Sequence, residues 1–154
     1  ANSLMALVAV VGFAASPTHV PVSPDVFLYA FAGAVAAAMS DTLSSEIGGL
    51  YDDPRLITTF ERVAPGTDGA VTWQGELAGI AGAGLIAVIA AVFESLLPLG
   101  ALVIVLAGVL GMTADSLLGA TVEGRYVGNQ TVNFLATVVA AVAGGGVALV
   151  FGAL

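Results

Sequence analysis

Residues 26–50 form an apolar run long enough to cross a bilayer, and its last turns carry Ser40-Asp41-Thr42-Leu43-Ser44-Ser45-Glu46-Ile47-Gly48. About 20 consecutive apolar residues make a transmembrane helix. A carboxylate inside such a helix is expensive to hold, so Asp41 is the first candidate for a functional group. The pattern returns in Gly111-Met112-Thr113-Ala114-Asp115-Ser116-Leu117-Leu118-Gly119. Whether Asp41 and Asp115 meet decides what chemistry the chain can support.

Composition fixes the solvent. Of 154 residues, 58% are hydrophobic and 9% charged, against about 25% charged in soluble domains, and the mean hydropathy is +1.04. The chain is therefore an integral membrane protein. Its 20 glycines suit helices that pack backbone to backbone. The absence of cysteine excludes a disulfide framework, a thiolate nucleophile and a zinc–thiolate site. A net charge of −8 argues against nucleic acid and against polybasic contact with anionic lipid.

Hydropathy predicts five helices, at about 4–15, 26–50, 72–97, 101–122 and 129 to the end. The predicted fold is all-α, a polytopic transmembrane helical bundle forming one domain over 1–154, with a long polar loop after helix two. Residues 16–24 read as a proline-rich connector holding His19, a surface residue, and Pro98-Leu99-Gly100 reads as a tight turn. Segments 51–71 and 123–128 follow the two parallel helices and hold all the cations, Arg55, Arg62 and Arg125. The positive-inside rule then places those loops and the N-terminus in the cytoplasm.

The polar residues gather at the same end. Asp41 and Glu46 lie near the end of helix two and Asp115 near that of helix four; Glu76 opens helix three, and Asn129 and Asn133 open helix five. At the other end only Glu94 and Ser95 form a strongly polar pair. This describes a polar half-site beneath an apolar half. Lanes of small residues lead into it: Gly33, Ala37, Asp41, Ser44 or Ser45 and Gly48 on one helix, Gly108, Gly111, Asp115 and Gly119 on another, and Asn129, Asn133, Thr137 and Ala141 on a third, at spacings of three and four.

Two nearby aspartates need a shared proton or a cation. Magnesium, which takes a few carboxylates together with substrate phosphates, would satisfy both. The long loop offers the complement: Arg55, Thr58, Thr59, Gly66, Thr67 and Gly69 supply a guanidinium, hydroxyls and a glycine-containing turn before a helix, all suited to phosphate. As a pattern this is weak, because there is no Walker A lysine, and an ordinary polar loop is as good a reading of it. Tyr51 and Trp73 read as interfacial anchors.

Five ordered motifs carry a resemblance: 41–48 (DTLSSEIG), 54–59 (PRLITT), 65–72 (PGTDGAVT), 115–120 (DSLLGA) and 129–137 (NQTVNFLAT). Together they resemble a membrane family that includes the plant phytyl-phosphate kinase, and more remotely the CTP-dependent polyprenol kinases and CDP-lipid synthases. The resemblance implies magnesium-dependent phosphoryl transfer from a nucleoside triphosphate, expected to be CTP, to an isoprenyl monophosphate at the cytoplasmic face. Asp41 and Asp115 would hold the metal, with Glu46 as a further ligand or base. Ser45, Arg55, Thr58, Thr59, Gly66, Thr67, Gly69, Ser116, Asn129 and Asn133 would bind phosphate or substrate. Family members carry additional N-terminal helices, so this chain is expected to be a C-terminal portion, completed by those helices or by a second copy. Two other functions compete. An ion- or proton-coupled transporter would use both aspartates to bind its cation, and a non-catalytic subunit would use them only to join helices.

Overall fold

The structure is a computed structural model and describes residues 2–19 and 22–152. Val20 and Pro21, in the middle of the predicted connector, lie outside the described residues, as does the His19 side chain. Five helices follow in order: α1 (Asn2–His19), α2 (Pro24–Gly48), α3 (Trp73–Glu94), α4 (Pro98–Thr121) and α5 (Asn129–Phe151). Among the described residues, four helices, α2 to α5, are long and apolar enough to cross a membrane. The chain thus has the polytopic helical architecture that its hydropathy predicts.

Two helix limits differ from expectation, each for a physical reason. Pro98 does not form a turn but occupies the first helical position of α4, where its missing N–H is no loss. The break sits earlier, at Ser95, which leaves α3 in the left-handed region with φ of 54°. Helix α1 in turn continues past Pro17, which cannot donate to the Phe13 carbonyl four residues back. The Ser16 hydroxyl donates to that carbonyl instead, at 2.9 Å, so no acceptor is orphaned in an apolar environment.

Helix α2 is the hub, packing against each of the other four helices. Small residues make this possible. Ala36 and Ala83 are fully buried, whereas Val92 and Phe93 are 71% and 80% exposed. The bulky apolar groups thus face outward, where lipid solvates them, and the interior is built from alanine and glycine. A Cβ on Gly33 would come within 2.7 Å of the Ala140 carbonyl oxygen, and one on Gly111 would overlap Ala37. Those contacts bring α2, α4 and α5 together along the predicted lanes. The few large side chains inside, Tyr29, Ile104 and Met112 among them, fill what the small residues leave. Between α2 and α3 the buried Ser40 hydroxyl donates to the Gly79 carbonyl at 2.9 Å, one residue before Asp41.

The polar segment after α2 folds back on itself. Strands β1 (Arg55–Leu56) and β2 (Ala70–Val71) pair antiparallel, with Arg55 opposite Val71. Strand β2 also touches α2 and α4, so the hairpin lies against the bundle.

Candidate functional site

Because the helices alternate in direction, α2 and α4 end where α3 and α5 begin, and the polar hairpin covers that end. Helix C-termini carry partial negative charge and N-termini partial positive charge. The sequence adds Asp41 and Asp115 near the two C-terminal ends, which deepens the negative potential there.

The two aspartates meet. Both carboxyl groups line one small cleft with Asn133 of α5, close enough for each to act on the other's charge. Asp115 Oδ1 and Asn133 Oδ1 are each shielded from solvent with no hydrogen-bond donor facing them. Asn133 spends its amide nitrogen on Asn129 Oδ1, at 3.3 Å. Two carboxylates and an amide carbonyl thus converge as hard oxygen donors, and two of those oxygens lack a positive partner. Among the described residues no third Asp, Glu, His or Cys joins the group. The set fits magnesium, which binds few protein oxygens and keeps the rest of its positions for water and phosphate.

Asp41 also borders a cavity of about 290 Å³ above this cleft. One wall is Ser44, Ser45 and Gly48 of α2, a second is Ser116 of α4, and the hairpin supplies Gly66, Thr67 and Asp68. Thr72 closes it from the start of α3, where its buried hydroxyl caps the helix by accepting from the Gly75 amide at 3.2 Å. The lining includes no lysine, arginine or histidine. A phosphate entering here must bring its own cation, since the only charged neighbours are carboxylates.

The hairpin is held at this height by Gly69, with φ of 72°. Any Cβ there would overlap Ala120 and the Ser116 carbonyl of α4. Gly69 therefore docks the loop and does not itself line the cavity. Of the other residues singled out from the sequence, Ser45, Gly66, Thr67 and Ser116 stand around the cavity, while Asn133 is in the cleft below. Asn129 is exposed at the start of α5 and reaches the cleft only through Asn133.

Four expected participants lie elsewhere. Glu46 is exposed and borders neither space; five residues on from Asp41, it points roughly 140° around the helix. Thr58 and Thr59 are exposed at the hairpin turn and line neither cavity. Arg55 faces a different, larger space of about 740 Å³ on the other side of Thr72. Its guanidinium donates to the Phe60 carbonyl at 2.9 Å and lies 3.9 Å from Asp53. Conversely, Tyr51, which the sequence reading makes an interfacial anchor, and Asp68, to which it gives no role, border the smaller cavity. Asp68 stands inside the PGTDG turn, where its neighbours were noticed and it was not.

The profile of the family described as Integral membrane protein DUF92 matches residues 1–144. An uncharacterized membrane protein of Methanocaldococcus jannaschii is 47% identical over 123 residues, 76% of this chain and 50% of its own length. Protein VTE6, chloroplastic, of Arabidopsis thaliana is 32% identical over 116 residues, covering 72% of this chain and 35% of that protein. Protein PGR of the same plant is 43% identical over 107 residues, 59% of this chain and 36% of that protein. The chain thus spans about half the length, or less, of the curated relatives it matches. No solved structure matches it.

Proposed function

The chain belongs to the Integral membrane protein DUF92 family, and we propose that it is the phosphoryl-transfer part of an isoprenyl-phosphate kinase. The observation that carries this reading is that Asp41 and Asp115 line one cleft under a cavity whose lining holds no cation. Such a site repels a bare phosphate and accepts one that arrives with a divalent ion. Residues of 41–48, 65–72 and 115–120, three of the motifs that resemble the family of the plant phytyl-phosphate kinase, line this space, which supports the same chemistry.

In the proposed reaction an oxygen of the prenyl monophosphate attacks the γ-phosphorus of a nucleoside triphosphate. The bond from that phosphorus to its bridging oxygen breaks, and the nucleoside diphosphate leaves with the electron pair. Prenyl diphosphate is the other product. Asp41 and Asp115 would hold magnesium, with the Asn133 amide oxygen as a third donor; bound there, the ion would neutralise charge on the phosphoryl oxygens. The chain's own groups do the rest. Ser44, Ser45, Thr67 and Ser116 offer hydroxyls to phosphate oxygens, and Gly66 leaves backbone room beside them. The hairpin covers the cavity and limits the water that could intercept the phosphoryl group. The prenyl tail would lie along the apolar helix faces, leaving its phosphate at the level of Asp41.

Purified protein in nanodiscs, supplied with CTP or ATP, magnesium and geranylgeranyl or phytyl phosphate, is expected to form the corresponding diphosphate. Removal of magnesium with a chelator should stop the reaction, and re-addition should restore it. Failure with every nucleotide and prenyl phosphate tried would refute the reading.

A further inference from the structure

The larger space beyond Thr72 has a lining unlike that of the acid-floored cavity. Three aromatic rings border it, and all are accessible: Tyr51, Phe60 and Trp73 are 42%, 66% and 70% exposed. Phe60 is held there at a conformational expense, since its φ of 58° is one a bulky side chain rarely adopts. The Arg55 guanidinium grips the Phe60 carbonyl, and the Phe60 amide donates to the Leu56 carbonyl at 2.8 Å. These bonds fix the backbone that carries the ring at the rim of the space.

The charged groups in the lining decide which ligand suits it. Arg62 is engaged by Asp53 through two contacts, 2.6 Å and 3.1 Å, and Arg55 approaches the same carboxylate. Both guanidiniums are thus already partnered. Asp52 and Glu76 add further carboxylate to the wall. An anionic lipid headgroup would meet net repulsion here. A planar, uncharged ring system rich in hydroxyl and amino donors would stack on the aromatics and donate to the carboxylates. A volume of about 740 Å³ is within the range of small-molecule sites.

We propose that this cleft binds the nucleoside end of a nucleotide. Tyr51, Val71 and Thr72 line both spaces, so a nucleotide whose base stacks among Tyr51, Phe60 and Trp73 can lay its phosphates across Thr72 toward Asp41. The assignment of those phosphates to a transfer reaction rests on the proposed kinase function; the nucleoside site itself stands on the cleft.

Trp73 is the chain's only tryptophan, so its fluorescence reports this cleft alone. Purified protein in detergent micelles with magnesium is titrated with CTP, ATP, inorganic triphosphate or geranylgeranyl phosphate, with nucleotide absorbance corrected against free tryptophan. The nucleotides are expected to quench Trp73 saturably, whereas triphosphate and the prenyl phosphate leave it unchanged. Phe60→Ala should raise the half-quenching concentration about tenfold, as expected for loss of one stacking partner. Asp41→Asn should leave quenching by the unphosphorylated nucleosides, cytidine and adenosine, unchanged. Quenching by triphosphate or by prenyl phosphate alone, or none by any nucleotide, would overturn the proposal. The two readings also fail separately. Saturable quenching without any prenyl diphosphate formed upholds the cleft and refutes the kinase; turnover without nucleotide quenching does the reverse.

Discussion

Two cavities share the wall made by Tyr51, Val71 and Thr72 and differ in almost everything else. One has Asp41 in its lining and Asp115 in the cleft beneath, hydroxyls and a glycine turn around it, and no cation in its lining. The other has exposed rings and guanidiniums already paired with carboxylate. The helices supply the acids of the first, whereas the aromatic side of the second comes from Tyr51 and Phe60 of the polar segment and from Trp73 at the first position of α3. Charge that must be held in a costly place is thus carried by the bundle, where small residues lock the backbone. Ring stacking tolerates looser placement and is shared between the loop and the start of α3.

The strongest way to break this contrast is at the acids. Asp41→Asn and Asp115→Asn are each expected to lower prenyl diphosphate formation by about 100-fold or more, on the scale of losing a principal electrostatic stabiliser. Both variants should still elute as folded, monodisperse protein, because Asn keeps the shape and adds a donor. Activity retained in either would mean that the carboxylates only join helices. Next in size is the wall itself. Gly69→Val places side-chain atoms into Ala120 and Ser116 of α4, so the hairpin must lift. Turnover should fall by about tenfold or more through misplacement alone, while proteolysis within 51–71 becomes faster and the helical circular dichroism stays. Thr72→Ala is milder. It removes the hydroxyl that caps α3, and should destabilise the protein by about 1 kcal/mol, read as a lower unfolding temperature.

The contrast was only half visible in the sequence. Hydropathy and loop placement gave the five helices, and two Asp-bearing lanes in helices of the same direction were enough to expect the acids at one level. Their packing needed no more than small residues at spacings of three and four. The aromatic cleft was hidden because it depends on how a 21-residue polar loop folds. Strands of two residues show no period to read, and a Trp or Tyr beside an apolar run looks like an interfacial anchor. Arg55 was misleading for a related reason: its type suits phosphate, but Asp53 and the Phe60 carbonyl hold it on the far side of Thr72. Pro98 misled through its ambiguity, since proline serves a turn and a helix start equally well.

Glu46 gives the smallest expected effect and the sharpest check on direction. By type and proximity it is an attractive ligand or base, within two turns of Asp41 on the same helix. Helical geometry nevertheless sends the two side chains apart, roughly 140° around the axis, and Glu46 is exposed. Substitution of such a surface group changes folding energetics by no more than about 0.5 kcal/mol. Glu46→Gln should therefore keep prenyl diphosphate formation within about twofold of the parent, in steady-state assays run beside Asp41→Asn. A loss as deep as that of Asp41→Asn would require α2 to rotate or unwind when substrates bind. The acid floor would then be one state of a moving helix, and the division between a rigid acidic cavity and an aromatic cleft would no longer hold.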